Sequence, residues 1–405
     1  LSSRPRTRSA RSIKVSARGM AIAAATVLLA GGATLNAIAN ITRTKAPETA
    51  LGMPFGGDPT AAAPAIDNLT RTDPEALTRP DVAVKLKAAL RLDPLDASAI
   101  RNLGFVAELG RDRERARKLI NLAERVSRRD AATQIWLIED AARNGDVART
   151  LRHYDIALKT SLEVQPLLFG TLANALSEPQ VARALVPLIR PRPSWLYAFV
   201  AQTIESGANL TRLQRVIQLA GGLPDTAEFQ ALETRFIQRL VELRAFDAAG
   251  RLYAEAAGPS RSAASVTGFT HESTDPRFAP YTWQTFGNAG TGVGFEDGGK
   301  GLAARIIANS NSQTTVLRRV FSLAPGSYRF ALRRELIYAT PRTRAVWALR
   351  CNGAQTASQS WQEPVTRITV PAGCAHQVIE LDVWGEDDEN GAQIVLSGLS
   401  ITPLR

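Results

Sequence analysis

The stretch NLGFVAELGRDRERARKLINLA, residues 102–123, decides the middle of the chain. Gly104 and Ala116 stand twelve residues apart, Ala116 and Ala123 seven apart, and Ile120 lies between the two alanines. Small residues at such intervals let the two helices of a hairpin cross closely, while larger apolar side chains fill between neighbouring hairpins. A shift of 34 residues carries Leu103 onto Leu137, Ala107 onto Ala141, Ile120 onto Tyr154 and Ala123 onto Ala157. A fixed period of that size marks a repeated supersecondary unit. In the second unit Asn144-Gly145-Asp146 supplies the turn, and Ile138 stands where Gly104 predicts a small residue. A last hairpin is expected near Phe236 to Ala257, with Phe246-Asp247-Ala248-Ala249, Tyr253 and Ala256. Between Gln165 and Leu223 the pattern degenerates, because Pro166, Pro179, Pro187, Pro191 and Pro193 read as helix breakers. Trp195, Leu196 and Phe199 in that stretch read as core residues.

Just upstream, Ala89-Leu90-Arg91-Leu92-Asp93-Pro94 resembles the end of a tetratricopeptide repeat, whose second helix closes with such a run. Residues 80–258 are therefore expected to form a tetratricopeptide-like helical array. The resemblance implies a concave face that binds a peptide or partner protein. Mixed-sign runs such as Arg111-Asp112-Arg113-Glu114-Arg115 read as solvated helix faces.

After Gly258-Pro259-Ser260 the texture changes to short alternating runs between turn residues. Ser327-Tyr328-Arg329-Phe330-Ala331-Leu332-Arg333 alternates as a half-buried strand does, as does Val378-Ile379-Glu380-Leu381-Asp382-Val383. Ala392 to Leu396 and Leu399 to Ile401 close the chain as further strands. Roughly eight strands over residues 262–405 suit a two-sheet antiparallel sandwich. The run Leu323-Ala324-Pro325-Gly326 leading into the Tyr328 strand, and the closing strands, resemble jelly-roll domains of the carbohydrate-binding-module and galactose-binding-like type. The fold class is thus helical, then antiparallel β. Cys351 and Cys374 are the chain's two cysteines. Both lie in the β region, which reads as one disulfide in an oxidising compartment, worth about 3 kcal/mol on the chain-entropy argument.

The N-terminus carries the compartment. Arg4, Arg6, Arg8, Arg11, Lys14 and Arg18 form a basic segment, 1–18, and no charged side chain follows from Gly19 to Thr42. Those 24 residues match a hydrocarbon core of about 30 Å at about 1.5 Å per residue. With the basic side cytoplasmic, 19–42 is a signal anchor of the inner membrane, leaving the bulk of the chain in the periplasm. Alternatively it is a signal peptide cut near Ala37-Ile38-Ala39, leaving a periplasmic or secreted protein. Residues 43–79, rich in Pro, Gly, Ala and Thr, read as a flexible linker. The net charge of +11 resides largely in the basic leader, and arginine outnumbers lysine about six to one, a compositional habit of high-GC bacteria. Nucleic acid is accordingly not the expected partner.

Chemistry-bearing motifs are few. His153, His271 and His376 sit in unrelated contexts, and neither G-x-S-x-G nor H-E-x-x-H occurs. Gly290-Thr291-Gly292-Val293-Gly294 precedes no helix and reads as a loop. No catalytic residue, metal site or cofactor is assigned, and the acidic run up to Asn390 matches no Ca²⁺ loop. A carbohydrate site instead needs an aromatic face beside hydrogen-bonding side chains. Trp384 shares strand parity with Glu380 and Asp382, opposite Ile379, Leu381 and Val383, and this trio is the first candidate. Trp361 and Trp283, near turns, are the others, whereas Trp347 shares its face with Leu349 and Cys351 and reads as core. The expected function is a non-catalytic envelope scaffold whose helices dock a protein and whose sandwich contacts a polysaccharide, as in exopolysaccharide assembly. The alternatives are a pure protein–protein adaptor and a polysaccharide-modifying enzyme.

Overall fold

The computed structural model describes residues 45–52, 58–258, 268–299, 301–309, 311, 313–339, 342–351, 358–385 and 391–404, with scattered positions between 26 and 43. The basic segment 1–18, most of 19–42 and residues 386–390, four of them acidic, lie outside the described residues. Among the described residues no helix is long and apolar enough to cross a membrane. The chain divides into two units, residues 1–164 and 165–405.

In the first unit the helices are α1 (Pro47–Leu51), α2 (Ala62–Thr72), α3 (Pro80–Leu92), α4 (Ala97–Leu109), α5 (Arg113–Val126), α6 (Ala131–Arg143) and α7 (Val147–Thr160). Every boundary of the α4–α5 hairpin recurs 34 residues later in α6–α7. The cause is visible at the caps. Asp96, Asp112, Asp130 and Asp146 each accept the backbone N–H three residues on, which satisfies an otherwise orphaned donor at each helix start. Arg111 and Gly145 take the left-handed conformation (φ 62° and 69°) at equivalent points of the two hairpin turns. Gly104 is required by close approach, since a Cβ there would stand 2.8 Å from Ile120 Cδ1. At the equivalent crossing Ile138 and Tyr154 are both nearly buried, so the second hairpin fills the gap with larger side chains.

A polar network ties successive hairpins together. Arg101, with 5% of its side chain exposed, pairs with Asp67 on α2 and with Asp130, the cap of α6. Asn102 Nδ2 donates to Asp67 at 2.8 Å. Farther along, Asp140 is fully buried and receives Arg117 at 2.7 Å, with Arg113 at 3.4 Å and Arg149 at 3.8 Å. Burial alone would raise its carboxyl, but the hydrogen bond and charge of Arg117, with Arg149 and Arg113, outweigh it and hold the group below the usual carboxylate range. The run 111–115 is therefore more than a solvated face: Asp112 caps α5 and Arg113 turns toward Asp140.

Residues 58–79 depart from the linker expectation. Helix α2 buries Ala62, Ala63, Ala65 and Ile66, and Ala63 and Ile66 join Val82, Leu86 and Ala99 in one core cluster. Alanine suits a tight helix contact, and Pro59 and Pro64 fall in first turns, where a missing N–H costs nothing. Composition alone hid this helix.

The second unit begins with α8 (Gln165–Ala175), α9 (Pro179–Ile189), α10 (Leu196–Ser206), α11 (Leu210–Leu219), α12 (Ala227–Glu242) and α13 (Phe246–Ala257). Here too the prolines do less damage than the sequence suggests. Pro166 and Pro179 occupy first turns, and Pro187 lies two residues before α9 ends. Trp195, Leu196 and Phe199 are core residues, as their spacing implies.

Two five-stranded antiparallel sheets follow. The first has the order β1-β4-β9-β6-β7, with β1 (Gln284–Thr285), β4 (Thr314–Phe321), β6 (Arg344–Cys351), β7 (Ser358–Trp361) and β9 (Gln377–Trp384). The second has the order β2-β3-β10-β5-β8, with β2 (Thr291–Asp297), β3 (Leu302–Ala308), β5 (Gly326–Tyr338), β8 (Val365–Val370) and β10 (Ala392–Pro403). The run Gly290 to Gly294, expected as a loop, mostly forms the start of β2. Between the sheets lie Trp283, Ile306, Leu317, Phe321, Phe330, Trp347, Leu349, Leu381 and Ile394, all buried. Cys351 at the end of β6 is bonded to Cys374, 23 residues on, and both are buried in that core.

Helix α13 and the sandwich share packing. Tyr281, which is 1% exposed, stacks on Tyr253 with centroids 4.9 Å apart and donates its hydroxyl to the Phe246 carbonyl at 2.9 Å. Burial, reinforced by Asp247, pushes its phenol well above the ordinary range. Arg319 of β4 is fully buried, its Nε donating to Tyr281 O at 3.0 Å and its guanidinium lying over the Trp283 and Phe321 rings. Desolvation lowers that guanidinium to about 10.

Candidate functional site: the outer face of the first sheet

Strand alternation sends Ile379, Leu381 and Val383 of β9 into the core and leaves Glu380, Asp382 and Trp384 on the outer face. Antiparallel register then sets their neighbours. Gln284, Arg318, Glu380, Ala348 and Ser360 form one row across all five strands. Thr315, Asp382 and Val346 form the next row, and Trp384 is opposite Arg344.

Trp384 is 37% exposed, enough to offer a ring face to solvent. The Arg344 guanidinium carbon lies 5.9 Å from that ring's centroid, within cation–π range. Glu380 is nearly buried and binds two arginines, Arg318 Nε at 2.7 Å and Arg350 Nε at 2.9 Å. Asp382 accepts the Thr315 hydroxyl at 2.6 Å and Gln313 Nε2 at 3.0 Å. Arg318 also lies over the Phe286 ring, 4.9 Å from its centroid, so its position is fixed from two sides.

The other two aromatic candidates go elsewhere. Trp283 is 2% exposed, donates its indole N–H to Gly268 O at 2.9 Å and contacts Phe269, Phe321 and Trp347. Trp361 is 7% exposed, pairs in register with Trp347 and meets Phe330 at 5.0 Å. Neither presents a ring face to a sugar, because each is one of the large side chains that fill the sandwich. Trp384, Glu380 and Asp382 are brought together. The residues that sequence reasoning passed over are Arg318, Arg344 and Arg350. Parity within β6 places Arg344 and Arg350 opposite Trp347, but their approach to Glu380 and Trp384 depends on pairing between distant strands.

A second concavity, of about 710 Å³, lies among α11, α12 and α13 and holds Asp225, Glu233 and Glu255, with Arg277 at its wall. Burial raises the carboxyls of Glu233 and Glu255. Among the described residues no group of three or more His, Cys, Asp or Glu side chains is arranged to hold a metal ion. No family model matches the chain, and no curated protein is significantly similar to it.

Proposed function

We propose that this chain is a binding protein of the bacterial envelope, its sandwich contacting a polysaccharide through the outer face of the first sheet. The carrying observation is the half-exposed Trp384 ring beside a fixed array of hydrogen-bonding side chains. A pyranose ring presents an apolar C–H face that stacks on indole, and its oxygens need partners held at the edge of that contact. Jelly-roll carbohydrate-binding domains, which the Leu323–Gly326 run resembles, work in this manner. The repeated hairpins α4–α5 and α6–α7, with their 34-residue offset, support a tetratricopeptide-like role in docking a partner protein. The Cys351–Cys374 bond favours an oxidising compartment, in agreement with an exported chain anchored at or released from the inner membrane.

The test is polysaccharide binding by the full chain, produced with the disulfide formed, beside its Trp384→Ala variant. Retention on a polymer that falls at least tenfold in the variant supports the reading. Absence of binding to any polymer of a broad panel leaves the protein–protein adaptor as the account.

A further inference from the structure

We infer that the ligand of this face is an acidic polysaccharide, whose carboxylates are received by the Arg318 and Arg350 guanidiniums that Glu380 orients. The inference rests on the glycan reading above and narrows it. A neutral sugar presents hydroxyls that both donate and accept, so its sites commonly offer free carboxylate oxygens. Here each of the four carboxylate oxygens already accepts one hydrogen bond. Glu380 accepts from Arg318 at Oε1 and from Arg350 at Oε2. Asp382 accepts from Thr315 at Oδ1 and from Gln313 at Oδ2. What the face retains is donors. Arg318 and Arg350 each spend Nε on Glu380, and their Nη groups have no hydrogen-bond partner among the described residues. The side chain of Arg350 is 55% exposed and that of Arg318 34%, while that of Glu380 is only 10%. One carboxylate of the outer face thus holds two guanidiniums that are more exposed than itself, with Ala348 in register between Glu380 and Ser360. Such forks match carboxylate geometry, and pre-orientation lowers the entropy lost on binding. Among the described residues of the face three guanidiniums (Arg318, Arg344, Arg350) stand against two carboxylates. Trp384 supplies the sugar-specific part, which bare electrostatics would not.

In this account Glu380 is a positioning residue and the arginines touch the ligand. The test uses the full chain with its disulfide formed. Polygalacturonate, alginate and hyaluronate are compared with the same polymers after esterification of their carboxyls, and polyacrylate serves as a sugar-free polyanion. The expected result is binding to at least one acidic polymer, weakened ~tenfold or more by esterification and similarly by Arg350→Gln, as the loss of one charged contact predicts. Raised salt weakens the acidic form, and Trp384→Ala or Arg344→Gln, both at exposed positions, weakens it without altering the circular dichroism spectrum. Equal binding to the esterified polymers, unaffected by Arg350→Gln, overturns the inference and leaves the glycan reading standing. Polyacrylate bound as tightly, with Trp384→Ala inert, overturns it as a charge-only contact. No binding to any polymer removes both.

Discussion

Replacing Gly104 by alanine tests whether the first repeated hairpin crosses as closely as its sequence demands. Alanine in a helix interior is favoured over glycine by about 0.5–1 kcal/mol, so on propensity alone the variant would be more stable. Packing opposes this. The new Cβ would stand 2.8 Å from Ile120 Cδ1 and 2.9 Å from Cγ1, with the Ala116 carbonyl oxygen at 3.5 Å. Carbon atoms prefer separations of about 3.5–4.0 Å, and Ile120 is fully buried beside Trp136 and Leu137, with no open side to retreat to. Overpacking of this kind costs about 1–3 kcal/mol, which after the propensity gain leaves a net loss of up to about 2.5 kcal/mol. Urea and thermal unfolding of the full chain would register it as a transition lowered by about 2–6 °C. The deciding arm is the double variant. Ile120→Ala alone removes both Cδ1 and Cγ1 at about 2–5 kcal/mol, and in that background Gly104→Ala becomes neutral or stabilising. A stabilising single variant, or losses that simply add, would refute the close crossing.

Arg101→Met strands Asp67 and Asp130 without their shared partner and should cost about 3 kcal/mol, read by denaturant unfolding. A loss under about 0.5 kcal/mol, ordinary for an exposed substitution, would mean the network does not hold the hairpins together. His153 is 1% exposed and hydrogen-bonded to Gln134 at 2.8 Å; burial first, then the Arg152 and Arg149 charges, lowers its pKa to about 4. The unfolded chain therefore binds the proton that the folded chain refuses between about pH 6.5 and 4, and stability falls by about 3 kcal/mol as pH drops through that window. His153→Leu should flatten this slope, and an unchanged slope would show that other groups carry it. Changing Cys351 and Cys374 to serine together should cost about 3 kcal/mol, measured against the oxidised parent. Equal unfolding midpoints would show that the bond adds nothing.

What could be read along one stretch of chain was legible, and what depends on distant pairing was not. The hairpin period follows from Gly104, Ala116 and Ala123, whose small size is a local mark of helix crossing. Trp384 could be placed beside Glu380 and Asp382 because alternation within a single strand fixes the face. Trp361 could not be placed, since its burial follows from register with Trp347 across β6 and β7. The arginine pair is still less visible: Arg318, Glu380 and Arg350 come from three strands that meet only in the folded sheet. Helix α2 was missed for a different reason. Its alanines and first-turn prolines have the composition of a linker, and only contact with Val82, Leu86 and Ala99 gives them a buried face.

The packing of α13 against the sandwich bears on how the chain can be divided. Its composition changes after Gly258, and a fragment begun at residue 262 would look like a complete β domain on paper. Such a cut would strip Tyr281 of its stacking partner Tyr253 and of the Phe246 carbonyl. It would also take Asp247 from His376, a contact of 2.9 Å, and Thr234 from the Arg277 carbonyl. Aromatic surface and a buried guanidinium would face water, an invitation to aggregate. A fragment begun at residue 165 keeps these partners on one polypeptide. The terminal helices are thus, in engineering terms, part of the load that the β layer must carry with it wherever it is moved.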